Sequence, residues 1–257
     1  MHLRKGFICL LIVLFSLSFI HSIIAQDTTT VDAKKLVEQA DSSLYPDVYK
    51  SIIVIRNQKS GSPTTTKKTT FWRDGDKMLS IINAPRVQKG QALLRNEDDM
   101  WFFLPKSRQI TKIGAKDNSF GGQASNADLL RVDLADDYNH RVMGKEMENG
   151  QLCWKLELKG IKRTVAYDKI IYWISVEHIF PVKRKFYSIS GQKLKTMTFL
   201  DITNSNNRQI PKTIEIVNEL NTDYKTTLIT KELKVLNHIP GRMFTTGWLE
   251  SGGSMEY

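Results

Sequence analysis

Cysteine and histidine are scarce in this sequence, which has two cysteines and five histidines among its 257 residues. Two cysteines form at most one disulfide, so a small secreted scaffold held by several bridges is excluded, as is a cysteine-rich zinc module. Downstream of residue 25, no histidine lies two or four positions from another, which is the spacing of a local zinc-binding pair. We therefore predict no metal site and no cofactor.

Catalytic motifs are also missing. The sequence contains no Gly-x-Ser-x-Gly nucleophile elbow. Cys153 falls in a regular strand pattern, where a small buried core residue is expected rather than a nucleophile. An acidic cluster near a turn is explained by solvation without any chemistry; its members are Asp133, Asp136 and Asp137. We predict that the chain is not an enzyme and has no catalytic residues. A hydrolase that uses Cys153 or the acidic cluster is the alternative.

Apart from one segment, long apolar runs are absent. That segment, Phe7–Ile20, follows the basic residues Arg4 and Lys5 and is too short to span a bilayer comfortably. It predicts a cleavable signal peptide over residues 1–25, with cleavage near Ala25 and export to the periplasm. An uncleaved membrane anchor is the alternative.

Basic residues outnumber acidic ones by 37 to 27, which gives a formal net charge of +10. Without residues 1–25 the counts are 35 and 27, which leaves +8. An exported protein rarely meets nucleic acid, so we predict no nucleic-acid partner. The excess is concentrated in residues 159–196, which hold nine basic and two acidic residues. Lys183 and Lys185 are the candidate docking patch for an anionic membrane or a protein partner; a solvated face that opposes edge pairing is the alternative.

No proline- or serine-rich linker and no repeat interrupts the chain, so residues 26–257 are predicted to form a single domain. An amphipathic helix that ends before Pro46 is predicted by apolar residues at helical spacing, namely Ala33, Leu36, Val37, Ala40 and Leu44. Ser125 and Asp128 have the spacing of a capping box, which predicts a short helix near 125–132.

From residue 48 onward the hydrophobic period is two, as in strands with one buried face. Strands are predicted near 48–58, 63–73, 77–83, 91–96, 99–104, 108–113, 139–147, 151–159, 164–176, 181–190, 193–202, 210–219 and 225–236. The turn signals between them are short, which predicts an antiparallel meander. The fold class is therefore mainly β with one or two helices packed on a large curved antiparallel sheet that is closed or nearly closed.

A sheet that curls on itself encloses an apolar cavity unless side chains fill it. If Ser190-Gly191 is the turn of a hairpin, residues 182, 184 and 186 share a face with residues 195, 197 and 199, and Lys183 and Lys185 lie on the opposite face. Strand 99–104 is apolar on both faces and is expected to be covered on both sides. The candidate cavity residues are Trp154, Leu156, Leu158, Val182, Phe186, Met197, Phe199, Trp101 and Phe103.

Two stretches carry a series of short motifs in collinear order. The first contains Lys77–Pro85, Lys89–Leu94, Met100–Pro105, Phe120–Gly122 and Asp128-Leu129. The second contains Trp173-Ile174, Pro181–Arg184, Ser190–Gln192, Ile210–Ile216, Ile239-Pro240, Phe244-Thr245 and Leu249. Each motif is weak alone, but their succession resembles the outer-membrane lipoprotein-sorting proteins of the LolA-like superfamily over most of the chain.

This resemblance implies an incomplete β-barrel with helices lining or lidding its concave side. It implies a non-enzymatic periplasmic carrier, a monomer, that shields the acyl chains of lipoproteins or another lipid in the cavity during transfer to the outer membrane. An inner-membrane lipid exporter or an outer-membrane acceptor is the implied partner. We match no arginine here to the cavity arginine of the family carrier, so receptor-triggered release is not carried over. The alternative is a lipid-sensing or adaptor domain that binds a protein partner in an envelope signalling or lipid-export assembly.

Overall fold

The computed structural model describes residues 31–130, 133–205 and 208–253. These ranges contain thirteen strands, namely β1 (Val48–Lys59), β2 (Thr65–Asp74), β3 (Lys77–Ala84), β4 (Ala92–Asn96), β5 (Asp99–Leu104), β6 (Gln109–Lys112), β7 (Tyr138–Glu148), β8 (Gln151–Gly160), β9 (Lys169–Ser175), β10 (Pro181–Tyr187), β11 (Lys193–Ser205), β12 (Arg208–Asn218) and β13 (Tyr224–Val235). The predicted signal peptide lies outside the described residues, so its cleavage stays a prediction.

All thirteen strands belong to one antiparallel sheet with the order β6-β5-β4-β3-β2-β1-β13-β12-β11-β10-β9-β8-β7. Each strand pairs with its neighbour along the chain except at the junction of β1 with β13, which joins the two halves. In the described part of the chain, β6 and β7 stand at opposite ends of this order and do not pair. The sheet is therefore curved but not closed into a barrel.

Within the described ranges, three α-helices accompany the sheet, namely α1 (Ala33–Leu44), α2 (Asn126–Leu130) and α3 (Thr246–Glu250), together with the 3₁₀ helices Arg86–Gln88 and Gly241–Phe244. The carboxylate of Asp32 caps α1 by accepting a hydrogen bond from the amide of Lys35 at 3.1 Å. The predicted capping box of α2 is confirmed, because the Ser125 amide donates to Asp128 Oδ2 at 2.8 Å and the Asp128 amide to Ser125 Oγ at 3.3 Å. Among the described residues, no helix has both the length and the apolar character needed to cross a membrane.

The two faces of the sheet are covered by different segments. On the concave face, residues such as Phe71, Met78 and Leu93 share a core with the buried side of α1. On the convex face, Trp72 and its neighbours pack under the C-terminal segment with the 3₁₀ helix and α3. Both faces of β5 are buried in this way, which confirms the expectation for strand 99–104: Met100 joins the concave core and Phe103 the convex one.

The predicted fold class is confirmed, and the predicted meander holds within β1–β6 and within β7–β13, whereas the break between β6 and β7 and the pairing of β1 with β13 were not predicted. The β10–β11 register also agrees with the predicted hairpin, since Arg184 pairs with Met197 and Phe186 with Lys195. The largest difference in a strand boundary is at β9, which was predicted from residue 164 and begins at Lys169. The chain leaves the ladder after Gly160, where the amide of Ile161 donates to the carbonyl of Asp137 at 3.0 Å.

Candidate functional site

A cavity of about 280 Å³ lies between the concave face of the sheet and the segments that cover it. Its volume is close to the lower end of the roughly 300–1,000 Å³ that is usual for small-molecule sites. Its apolar wall consists mainly of Leu44, Tyr45, Tyr49, Ile53, Phe71, Met78, Leu129, Leu134, Ile170, Phe186, Met197, Phe199, Ile214 and Leu228. Eight strands, α1 and α2 supply all of these side chains except those of Tyr45 and Leu134, which lie in connections.

Charged side chains accompany this apolar wall. Among the described lining residues, seven are acidic, namely Glu38, Asp41, Asp47, Asp76, Asp128, Asp133 and Asp136, and three are basic, namely Arg73, Arg95 and Arg184. The exposed Asp136 pairs with Lys34 on α1 at 2.6 Å. The cavity therefore offers an apolar interior beside polar groups, as an amphiphilic ligand requires.

Arg184 is one of two largely buried arginines that line the cavity, with Arg95, and it connects the sheet to α1. Its guanidinium, on β10, forms an ion pair with the Asp41 carboxylate of α1 and donates to the hydroxyl of Tyr172 at 2.5 Å. The Tyr172 hydroxyl in turn donates to Asp41 at 2.9 Å. Burial lowers the pKa of the Arg184 guanidinium, but Asp41 and Tyr172 raise the pKa by more, so Arg184 stays charged. This triad connects α1 to β9 and β10 on the concave face.

A second buried network fixes the segment that crosses the sheet after β6, residues 114–125, here called the strap. Lys195 on β11 donates to Asp128 at 2.6 Å and to the carbonyl of Gln123 at 2.9 Å. The Tyr167 hydroxyl donates to Asp128 at 3.0 Å, and burial followed by the charge of Asp128 raises the pKa of Tyr167 well above its usual value. Lys67 reaches the carbonyl of Phe120, whose ring is buried in the concave core.

At Gly122 the backbone of the strap packs closely against side chains of β1 and β13. The neighbouring Gly121 allows a matched test of this packing. A Cβ at Gly122 would lie 2.0 Å from Asn57 Oδ1 and 2.6 Å from Thr226 Oγ1, whereas a Cβ at Gly121 would meet only Lys67 Nζ, at 3.8 Å. Gly121 has a φ of 71° and Gly122 a φ of 81°, so an alanine at either position is strained by the left-handed backbone conformation. Only Gly122→Ala adds the clash, and we expect it to lower the free energy of unfolding by about 1–3 kcal/mol more than Gly121→Ala. Equal losses in urea unfolding would show that the strap does not rest on this contact.

The structure brings six of the nine candidate cavity residues into the concave core. Phe186, Met197 and Phe199 line the cavity itself. Leu156 and Leu158 are fully buried in the same core, with Trp154 packed against it, but these three do not line the cavity. Strand alternation thus identified the correct face of β8 and β11, while the position of the open space depends on what α1 and the strap cover.

The prediction was wrong for the other three candidates, which do not face the cavity. Trp101 and Phe103 lie in the convex core, because the face of β5 that points to the concave side carries Met100 and Phe102. Val182 lies in a small convex cluster with Trp173, because a register irregularity between Pro181 and Lys183 turns its side chain to the other face. Neither the doubly apolar strand nor the bulge can be assigned from alternation alone.

The candidate docking patch lies on the convex side, away from the cavity. Lys183 Nζ pairs with Glu148 at 2.5 Å, and Lys185 Nζ stands 5.0 Å from the centre of the Trp173 ring. Glu146 accepts from Trp173 at 2.6 Å and from Lys155 at 3.0 Å, and these hydrogen bonds lower the pKa of Glu146. The charge of Lys183 is therefore largely balanced within the sheet, while Lys185 has no acidic side chain at ion-pair distance among the described residues, although its charge helps to lower the pKa of Glu146.

The groups that sequence analysis weighed for catalysis occupy structural positions. Cys153 is a buried free thiol, and burial followed by the nearby charge of Glu148 raises the pKa of Cys153 to about 11. His140 hydrogen-bonds the carbonyl of Leu134 at 2.8 Å. Asp133 accepts the amides of residues 135 and 136 at 2.8 and 3.1 Å. In the described ranges, no three residues among His, Cys, Asp and Glu come together in a way that could hold a metal ion.

Sequence analysis missed the Asp41–Arg184–Tyr172 triad. Its one local signal is the position of Asp41, four residues after the apolar Val37 and one after Ala40, which puts a carboxylate at the border of the buried stripe of α1. Arg184 was placed on the inner face, but nothing in the sequence connects it to a residue 143 positions away. The partnership is a tertiary feature.

Comparison with solved structures agrees with this architecture. A LolA superfamily protein from Nitrosomonas europaea superposes with a TM-score of 0.78 at 26% identity, over 85% of this chain and 99% of the other. An outer membrane lipoprotein-sorting protein domain from Vibrio parahaemolyticus gives 0.76 at 21% identity, over 85% and 98%. A DUF1329 family protein from Desulfovibrio piger gives 0.75 at 18% identity, over 84% and 97%.

A family model described as "uncharacterized protein" matches residues 74–251, more than half of the chain. No curated protein matches the sequence significantly. The curved open antiparallel sheet with helices packed on it is the fold that these LolA-like structures share. The chain belongs to the family of that model and, with it, to the LolA-like superfamily of outer-membrane lipoprotein-sorting proteins, which confirms the resemblance seen in the motifs.

Proposed function

We propose that this chain is a non-enzymatic periplasmic carrier that shields the acyl chains of a lipoprotein or another lipid during transfer to the outer membrane. The observation that carries the proposal is the apolar cavity between the concave face of the sheet and α1, lined by Phe186, Met197 and Phe199. The superfamily of the Nitrosomonas and Vibrio structures supports it. The carrier acts as a monomer, with an inner-membrane exporter or an outer-membrane acceptor as partner.

An acyl chain that crosses water without a carrier has a large unfavourable free energy of hydration. Each methylene of an acyl chain costs about 0.8 kcal/mol in water, so a chain of sixteen carbons costs on the order of 12 kcal/mol. An apolar cavity offsets this cost while the lipid crosses an aqueous compartment. The acidic and basic side chains beside the cavity offer hydrogen-bond partners to a polar headgroup, which would lose its hydration without compensation against the apolar wall.

The proposed activity consists of binding and release, and it requires no covalent step. Cys153 is a poor nucleophile, since its raised pKa of about 11 leaves roughly one thiolate in ten thousand molecules at pH 7. Export through the predicted signal peptide would bring the chain to the compartment where this activity is needed.

Native mass spectrometry of the protein purified from the periplasm tests the proposal. We expect a population that carries one lipid or acylated peptide and that exchanges this cargo with acceptor vesicles faster than the lipid transfers by itself. A fluorescent fatty acid should bind with a stoichiometry of one, and the same fluorophore without the acyl chain is the control.

The adaptor alternative predicts a different result in the same experiment. An adaptor retains one protein partner in a stable complex and exchanges no lipid. A preparation that holds a stoichiometric protein partner, with neither bound lipid nor fatty-acid binding, would overturn the carrier proposal.

A further inference from the structure

Most of the basic excess of residues 159–196 is neutralised within the fold. Of the nine basic residues, Arg184 pairs with Asp41, Lys195 with Asp128, Lys183 with Glu148, Lys193 with Glu219 and Lys162 with Asp137. Within the described residues, the remaining four have no acidic side chain at ion-pair distance; they are Lys159, Arg163, Lys169 and Lys185.

The pairing of β8, β9 and β10 brings the basic residues on these strands close together. Lys159 on β8 lies directly opposite Lys169 on β9, and Lys185 on β10 lies opposite Ile171, two residues after Lys169 on β9. Arg163 is exposed in the connection between β8 and β9. Two like charges directly across a pair of strands destabilise a sheet. The fold nevertheless places Lys159 and Lys169 in this position, and an anion bound there would relieve their repulsion.

Exposed aliphatic side chains stand in the two connections next to these strands. Ile161, in the β8–β9 connection, is 54% exposed, and Ile189, in the β10–β11 turn, is 89% exposed. The two connections lie at the same end of the strands. The strand pair β8–β9 and the strand pair β10–β11 that they join are two strand spacings apart, about 10 Å. Lys169 Nζ also lies 4.5 Å from the centre of the Tyr187 ring, next to the turn that carries Ile189. Exposed aliphatic tips among unpaired basic residues are typical of surfaces that contact lipid headgroups and the outer part of the acyl layer.

We propose that Lys159, Arg163, Lys169, Lys185, Ile161 and Ile189 form a docking surface for an anionic lipid bilayer, here called the basic edge. The basic residues attract the headgroups, and the two isoleucines enter the interface between headgroups and acyl chains. The basic edge replaces the patch of Lys183 and Lys185, from which it keeps Lys185 alone. It holds no residue of the cavity, so its role is separate from cargo binding.

Vesicle flotation tests the basic edge directly. The full-length mature protein is mixed with vesicles of phosphatidylglycerol and phosphatidylcholine, or of phosphatidylcholine alone, and the bound fraction is measured at low and at physiological salt. We expect binding to the anionic vesicles only, weakened by salt. Lys159→Gln with Arg163→Gln should weaken it roughly 30-fold, from about fivefold for each basic residue. Ile189→Ser with Ile161→Ser should weaken it about tenfold and leave the salt dependence intact.

Two matched controls separate the basic edge from general surface properties. Lys89→Gln with Lys106→Gln removes the same charge from exposed connections on the other half of the sheet, and Met147→Ser removes an apolar residue that is 64% exposed on β7. Both should bind as the wild type does. Equal weakening by the two charge-neutralising pairs would overturn the proposal, because net charge alone would then explain the binding. Binding to soluble heparin without binding to vesicles would also overturn it and would assign the edge to a soluble acidic partner.

This experiment is independent of the cavity. A protein that binds vesicles through the basic edge but retains no lipid would contradict only the carrier proposal, and a protein that carries lipid but ignores anionic vesicles would contradict only the docking surface.

Discussion

Replacement of Asp41 by leucine is expected to lower the free energy of unfolding by about 3–5 kcal/mol, because it leaves the Arg184 guanidinium buried without its counter-charge. The side chain of Arg184 is 12% exposed and that of Asp41 is 25% exposed. For a chain of this length the loss corresponds to a decrease in Tm of roughly 6–20 °C. Urea unfolding and calorimetry of the variant measure it.

The partner substitution supplies the control. Arg184→Met leaves a carboxylate that water can partly reach, so we expect a smaller loss, about 1–3 kcal/mol. The double variant Asp41→Leu with Arg184→Met contains no unpaired charge and should be more stable than Asp41→Leu alone. Strictly additive losses would show that the ion pair does not hold α1 on the sheet.

Leu228→Asp is expected to weaken fatty-acid binding at least 100-fold, which corresponds to about 2.7 kcal/mol. Leu228 lines the cavity, and its cross-strand neighbours Ile55 and Ile214 are apolar, so no cation lies directly across the strands from the new carboxylate. Met197 is a poorer position for this test, because Arg184 lies directly opposite it and would neutralise the charge. A fluorescent fatty acid reports the affinity.

The matched control is Leu228→Asn, which has nearly the same shape without the charge. We expect a loss of about tenfold for it at every pH. An apolar site raises the pKa of an introduced carboxyl group, so the aspartate variant should become neutral as the pH falls and approach the affinity of the asparagine variant. Near-ultraviolet circular dichroism establishes that both are folded. Two folded variants with equal affinity at pH 7.5 would show that the ligand does not contact this wall.

The sequence by itself determined the strands and the pairing of consecutive strands within β1–β6 and within β7–β13, but not the junction of β1 with β13. The period of two and the short turns indicate a meander, since an antiparallel strand pair needs only a two-residue turn, and every predicted strand is present. The amphipathic spacing from Ala33 to Leu44 likewise determined α1 and its buried side. These features depend on residues close together in the chain, so a local pattern is sufficient to identify them.

Only the tertiary structure decided which inward-facing residues border open space. Leu156 and Met197 both face the concave side, yet one is enclosed by neighbouring side chains and the other lines the cavity, because α1 and the strap cover different strands. Val182 left the predicted face through a bulge that no alternation reveals. The Asp41–Arg184 ion pair and the separation of paired from unpaired lysines in residues 159–196 have the same origin. Charges find their partners across strands and helices far apart in sequence, and that proximity exists only after the sheet has curved.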